Sequence, residues 1–329
     1  MSALRVLVVA DTRSGLPTAA GAELIGLAHR LCVPSGGEVT ALAIGAAVEA
    51  GLNLIARGAD RVLYAADGAV TDDESERWTA VAAHAAKRVQ PRLILVSHNS
   101  LGADLAPRLA FRLEGAVATG CVAVTVDGGN VTVARPCYGG NAQEVVAIAA
   151  SPVVISMRNG CADMLAADDA RSGEVVALDF IPLASRTRVV ERQRESGGDV
   201  RLEDARVVVA GGRGLNGPEG FEVLRELAQQ IGGAVGASRV PCDLGWCPHS
   251  MQIGLTGKTV TPELYIAVGI SGAGHHLAGC GGARSIVAIN TDAEAPIFRQ
   301  ARFGLVGDYR ALVPALARAV AAMKAADAA

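Results

Sequence analysis

Short aliphatic runs recur along this chain with room for one helix between neighbours, and that rhythm restricts the fold more than any other feature. The first run is Arg5–Ala10. Glu38–Ile44, Arg61–Tyr64, Leu93–Ser97, Cys121–Val126 and Val153–Met157 follow. They are continuously apolar rather than alternating, as strands are when both faces of a parallel sheet are covered. Thr71-Asp-Asp-Glu74 reads as a capping box that opens a helix running to about Arg88. Leu101, Leu105 and Leu109 recur at helical spacing and mark one face of another helix. This strand-then-helix order predicts an α/β protein built on doubly wound, mainly parallel sheets. Composition agrees: the chain is 50% apolar but only 3% aromatic, so its core is aliphatic.

A length of 329 residues suits two domains better than one. The stretch from Ser185 to Asp199 is crowded with charge and ends in Ser196-Gly197-Gly198, as a linker does. A long surface loop inside one domain is the other reading. The linker reading predicts an N-terminal α/β domain over 1–195 and a second domain over 196–329. In the second half the rhythm restarts. Arg206–Ala210 reads as a strand and Gly211–Gly217 as a tight turn. Pro218 takes the first position of a helix. Phe221, Leu224, Ala228 and Ile231 give that helix its core face, and Gly232 ends it. Strands are expected at Ala234–Ser238, Leu264–Ile270, Ile286–Ile289 and Leu305–Val306, with a last helix from Tyr309 to about Lys324.

Several function classes are disfavoured. The net charge of −3 gives no electrostatic footprint for nucleic acid. No apolar run is long enough to span a membrane, so direct membrane insertion is not expected. The first strand begins almost at once, which leaves no room for a signal or transit peptide. The seven cysteines are odd in number and include no C-x-x-C pair. Free thiols in a reducing compartment, the bacterial cytoplasm, are the expectation.

Two glycine turns carry the chemistry. Gly212-Arg-Gly214-Leu-Asn-Gly217 matches the dinucleotide fingerprint G-x-G-x-x-G between a strand and a helix. An NAD site also wants an acidic residue at the end of the next strand. Here that strand ends in Ser238-Arg239, so an NADP-dependent oxidoreductase using Arg239 stays open, as does a plain tight turn. The second turn, Ser271-Gly272-Ala273-Gly274-His275-His276, follows a strand and opens a helix. Such a turn presents backbone N–H groups to an anion, with an imidazole beside it. Zinc is not expected, because adjacent histidines point apart on a helix and nothing nearby completes a ligand set. Between the turns, Pro248 to Lys258 reads as a loop passing over a ligand.

These segments, in this order, resemble the α subunit of electron transfer flavoprotein. The matching stretches are Gly211-Gly-Arg-Gly-Leu215, Gly233-Ala-Val-Gly-Ala-Ser-Arg239 and Met251-Gln-Ile-Gly-Leu-Thr-Gly-Lys258. Pro262-Glu-Leu-Tyr-Ile-Ala-Val-Gly-Ile-Ser-Gly272, His276-Leu-Ala-Gly279, Ala288-Ile-Asn290, Glu294-Ala-Pro-Ile-Phe298 and Gly304-Leu-Val-Gly-Asp308 complete the set. The N-terminal half matches more loosely, chiefly through Arg135-Pro-Cys-Tyr-Gly-Gly-Asn-Ala142.

The resemblance implies an electron carrier with a redox-active FAD rather than an enzyme with its own substrate. It implies a Rossmann-like FAD-binding C-terminal domain and a heterodimer with a β subunit that covers the flavin. That partner is expected to hold AMP, or a second, bifurcating FAD. The N-terminal domain resembles the adenine-nucleotide-hydrolase fold, without a nucleotide, and docks the β chain. Electrons are expected from acyl-CoA or related flavin dehydrogenases and pass to a membrane quinone oxidoreductase.

By the same resemblance, Arg213 contacts the adenine-side phosphate region. Ser238 and Arg239 lie beside the isoalloxazine and phosphate. Gln252, Ile253, Gly254, Leu255 and Thr256 run along the flavin, with the Thr256 hydroxyl near N5. Gly269 leads into the pyrophosphate turn of Ser271, Gly272, Ala273, Gly274, His275 and His276, with His276 reaching the pyrimidine oxygen O2. Asn290, Asp308 and Tyr309 complete the adenosine side. Two departures stand out: Leu255 where the family usually has Gln, and Gly274-His275 where it often has Ile-Gln. Both bear on the redox potential and on the choice of dehydrogenase.

Overall fold

The computed structural model describes residues 3–12, 17–45, 48–65, 75–138, 142–179, 190–191, 202–203 and 205–327. The chain divides into two compact units, Met1–Cys137 with Asn141–Arg194, and Tyr138–Gly140 with Glu195–Ala329.

The first unit opens with strands β1 (Arg5–Ala10), β2 (Glu38–Ile44), β3 (Arg61–Ala65), β4 (Leu93–Ser97) and β5 (Ala116–Cys121). A ribbon of β6 (Ala123–Asp127), β7 (Asn130–Cys137) and β8 (Ala142–Ile148) follows, then β9 (Val153–Met157) and β10 (Glu174–Ala177). Seven strands form a sheet in the order β10-β3-β2-β1-β4-β9-β5. Every pairing in it is parallel. The two faces of β1 explain its unbroken apolar run. Val6 and Val8 pack with Leu24 and Ile25 of α1 (Ala19–Cys32). Leu7 and Val9 pack with Trp78 of α3 (Ser75–Val89) and Leu105 of α4 (Ser100–Arg112). Another helix, α2 (Val48–Ala56), follows β2. Thr18 caps α1 by accepting from the Gly21 N–H at 3.2 Å, and Asn99 caps α4 by accepting from Gly102 at 2.9 Å.

The expected capping box Thr71–Glu74 lies outside the described residues. The single strand expected over Cys121–Val126 is in fact two. Gly120 takes a φ of 68°, the β5–β9 register shifts between Ala118 and Cys121, and the chain leaves the parallel sheet after Cys121. It re-enters as the antiparallel ribbon. That ribbon had a readable signal. Val131 and Val133 are buried and alternate with Thr132, and Gly128-Gly129, both at positive φ, form its tight hairpin.

The second unit holds β11 (Val207–Gly211), β12 (Ala234–Ala237), β13 (Leu264–Val268), β14 (Ser285–Asn290) and β15 (Phe303–Val306). They form one parallel sheet in the order β12-β11-β13-β14-β15. Helix α5 (Gly220–Ile231) buries Phe221, Leu224, Leu227 and Ala228, and Gly232 closes it in the left-handed region. The expectation that Pro218 is its first residue is corrected. Pro218 sits in the turn before it, where its carbonyl accepts from Phe221 at 3.0 Å. The last helix, α8 (Tyr309–Asp327), is anchored at its start, where the Tyr309 hydroxyl donates to the Leu215 carbonyl at 3.0 Å. Among the described residues no helix is long and apolar enough to cross a membrane.

Candidate functional site

In a parallel sheet, ligand crevices form outside the carboxyl ends of the strands, where the strand order reverses. In the second unit that reversal lies between β11 and β13. A cavity of about 860 Å³ opens there. Each strand feeds it from its carboxyl end: Arg213 after β11, Ser238 after β12, Gly269 and Ser271 after β13, Asn290 ending β14, and Asp308 after β15.

The glycine fingerprint has a structural use. Gly214 donates to the Gly269 carbonyl at 3.0 Å, and Gly212 to the Val268 carbonyl at 2.8 Å. A Cβ on Gly212 would strike the Gly269 carbonyl oxygen, and one on Gly214 would come within 2.8 Å of the Gly269 Cα. These glycines let two backbone turns touch each other, and Gly214 also lines the cavity. Arg213 and Asn216, on the same turn, do face the cavity.

The loop after the short helix α6 (Arg239–Asp243) forms another wall. Ile253 donates its backbone N–H to the Ala237 carbonyl at 2.8 Å, and Leu255 to the His275 carbonyl at 2.7 Å. The loop is thus tied both to β12 and to α7 (Gly274–Cys280). Within it, the buried Gln252 amide donates to the Thr256 hydroxyl at 3.0 Å, which leaves the Thr256 O–H proton free for another acceptor. Leu255 is 56% exposed, an apolar side chain set at the cavity wall.

His276 is the most constrained group. It is 7% exposed, with Nδ1 3.1 Å from the Ile253 carbonyl and Nε2 2.9 Å from the Tyr265 hydroxyl. A carbonyl only accepts, so Nδ1 carries the proton, and Nε2 of the neutral ring accepts from the fully buried Tyr265. Burial lowers the His276 pKa to about 4, against a smaller upward effect of the Ile253 carbonyl. Burial also drives the Tyr265 phenol well above its ordinary value. The ring therefore faces the cavity as a neutral imidazole with both nitrogens engaged. Its one N–H is spent on the Ile253 carbonyl, so donation to a ligand oxygen requires that bond to open or be shared.

Arg239 pairs through Nε with Asp243 Oδ2 at 3.1 Å on the exposed face of α6. Its positive charge near the cavity is partly compensated. Asn290 donates to the Ile270 carbonyl at 3.0 Å and accepts from the Asp292 N–H at 3.0 Å, so it shapes the turn after β14.

All the residues expected at the site line this one cavity except Gly272 and Gly274. The reason for Gly272 is packing. Its φ is 84°, and a Cβ there would run into the backbone nitrogen of Ile297, which donates to the Ser271 carbonyl. Sequence reasoning missed Asn216, Val240, Thr291, Asp292 and Arg310, among others that line the cavity. Each is within three residues of an expected one, so the motif neighbourhoods were the available signal. Among the described residues no cluster of three or more His, Cys, Asp or Glu could hold a metal.

Comparison with known proteins identifies the family. Residues 6–183 match the electron transfer flavoprotein domain, and residues 201–281 match the electron transfer flavoprotein FAD-binding domain. The electron transfer flavoprotein subunit alpha of Bacillus subtilis is 39% identical over 95% of this chain and 96% of its own. That of Thermoanaerobacterium thermosaccharolyticum is 37% identical over 97% and 98%. That of Pseudomonas aeruginosa is 36% identical over 96% and 100%. Fold, cavity and full-length similarity converge, and the chain belongs to the electron transfer flavoprotein α-subunit family.

Proposed function

We propose that this chain is the FAD-holding subunit of a heterodimeric electron carrier. It takes electrons from flavin dehydrogenases, acyl-CoA dehydrogenases among them, and passes them to a membrane quinone oxidoreductase. The single observation that supports this best is the cavity at the strand-order reversal. One void gathers the residues that the family resemblance assigns to a flavin dinucleotide.

The residues fit that group. The volume lies in the range of cofactor pockets. Among the described residues, the backbone N–H groups of the cavity-lining Ser271, Ala273 and His275 donate to no backbone acceptor, which suits them to a diphosphate. FAD, when bound, supplies redox chemistry that protein side chains lack. The chain's own groups bind and orient it. Arg213 and the 271–275 turn hold negative charge. Thr256, fixed by Gln252, offers an O–H. Burial keeps His276 neutral, and Tyr265 with the Ile253 carbonyl holds it in place. Leu255 excludes water where a glutamine would admit it.

The β subunit is the proposed cover for the open side of the cavity, carrying AMP or a second flavin of its own. The first unit serves as its docking platform. The test is co-production with a β subunit. The purified pair should be yellow, with an oxidised-flavin spectrum and close to one FAD per heterodimer. A colourless protein that binds NADPH would overturn the proposal.

A further inference from the structure

Two sulfurs stand beside the cavity wall without a role in it. Cys242 lies in α6, whose start supplies Ser238, Arg239 and Val240 to the cavity. Cys247 lies on the loop that leads to Gln252 and Ile253. Their Sγ atoms are 3.5 Å apart, and the residues are 3% and 7% exposed. The turn between them is fixed. Gly245 takes a φ of 74° and donates to the Cys242 carbonyl at 3.0 Å, and Trp246 donates to the Pro241 carbonyl at 2.9 Å. Cys242 Sγ also lies 3.6 Å from the carbonyl oxygen of Ser238, a cavity residue.

The bland account is two small core residues in contact. It does not explain why both sulfurs share one site. The backbone turn holds the two sulfurs 3.5 Å apart, and a disulfide requires closing that to about 2.05 Å. We infer that Cys242 and Cys247 are a redox-active dithiol that hydrogen peroxide oxidises to an intramolecular disulfide.

The step balances. One sulfur, as thiolate, attacks a peroxide oxygen. The S–O bond forms, the O–O bond breaks, and the departing hydroxide takes up a proton as water. The second sulfur attacks the first, the S–S bond forms, and the oxygen leaves as a second water. Two electrons pass from the sulfurs to the peroxide, and both thiol protons end in water. The electrostatics support a thiolate in the pair. The hydrogen bond from Cys247 holds the Cys242 thiol below its ordinary range, and the same bond, with burial, raises Cys247. Burial, helped at Cys32 by the nearby Asp60 and Glu38 carboxylates and opposed at Cys280 by the Tyr265 hydroxyl, takes Cys32 and Cys280 the other way, up to about 12.

Oxidation would tie α6 to the 247–253 loop and remove the S–H beside the Ser238 carbonyl. The dithiol thereby reports oxidant stress to the cavity wall. This inference stands apart from the identity of the bound cofactor.

The experiment uses the full chain, purified under reductant, exposed to hydrogen peroxide, alkylated and digested with trypsin. Both cysteines fall in one peptide, Val240–Lys258, which contains no other cysteine. The expected result is that this peptide loses two hydrogens, takes up no alkyl group, and recovers both thiols after reduction. A doubly alkylated Val240–Lys258 at peroxide doses that oxidise the more exposed Cys137 or Cys161 overturns the inference. Cys242→Ser and Cys247→Ser supply a second arm. Each should trap a sulfenic acid on the remaining sulfur with a 1,3-dione, several-fold more than the wild type does. Equal trapping in all three proteins overturns it as well. Should a variant misfold, the wild-type peptide map decides alone.

Discussion

At the scale of single residues, His276 shows how burial sets the state of a group that sequence patterning only locates. Its pKa falls from an ordinary 6.5 to about 4 because the ring is desolvated. Between those values the unfolded chain binds a proton that the fold refuses. Stability from this residue is complete above about pH 6.5 and is lost as pH falls towards 4. The full penalty is about 3 kcal/mol. In His276→Gln the amide still meets Tyr265 and the Ile253 carbonyl, but nothing titrates. Urea unfolding of the two proteins, above pH 6.5 and midway to 4, should show a shallower acid loss in the variant. His98, which burial also lowers, contributes to both proteins and cancels in the difference. Parallel slopes would show that His276 does not titrate as described. The Arg239–Asp243 pair supports a second prediction, for the FAD-loaded heterodimer. Arg239→Ala should lower the first reduction potential and Asp243→Asn should raise it. Both groups are exposed, at 66% and 47%, so solvent screens them. An exposed pair is worth less than about 1 kcal/mol, so each shift should be no more than about 40 mV. Spectroelectrochemical titration measures it. Two unchanged potentials would leave Arg239 as a binding residue only.

At the scale of elements, the turn after β13 is where the fold commits backbone to the site. Gly272 at positive φ, pressed against Ile297, admits no side chain. Gly272→Ala should cost roughly 2–4 kcal/mol through strain and a shifted 271–276 turn, and flavin content should fall with it. Thermal unfolding and flavin absorbance read both losses, and wild-type values in both would sink the argument. The turn also marks what the sequence could tell. β1, β2, β4 and β9 were legible to the residue, because strands buried on both faces are unbroken aliphatic runs. The β6–β8 ribbon went unread although Val131 and Val133 alternate with Thr132 and Gly128-Gly129 marks its hairpin, because half-exposed strands show period-two alternation rather than unbroken aliphatic runs. Pro218 misled for a local reason: its preferred φ suits a turn as well as a first helical position. At the site, the motifs located the cavity. Only coordinates show that Gly212 and Gly214 serve backbone contact, or that Tyr265 spends the second nitrogen of His276. Those facts depend on partners distant in sequence.

At the scale of the whole molecule, the second unit presents more apolar surface than a finished binding site needs. Leu255 and Val240, both on the cavity wall, are 56% and 41% exposed, and Leu244 on the neighbouring turn is 56% exposed. On β15, just before Asp308, Phe303, Leu305 and Val306 are 63%, 41% and 59% exposed. Each exposed apolar Å² costs about 25 cal/mol relative to burial, so a cover over these side chains is favoured. A cover also slows ligand escape. The β chain is the proposed cover, and the prediction follows from linkage. A ligand stabilises a fold by about 2.7 kcal/mol when present at a hundredfold excess over its Kd. FAD added to the co-produced heterodimer stripped of flavin should therefore raise its melting temperature by several degrees. Added at the same concentration to this chain alone, it should produce little change, because the open cavity binds it weakly. Size exclusion should show a one-to-one complex for the pair, and self-association or flavin loss for the lone chain. A monomer of this chain that stays soluble, keeps its FAD through gel filtration and gains the same thermal shift would show that the cavity closes without a partner. The exposed apolar side chains would then need another explanation.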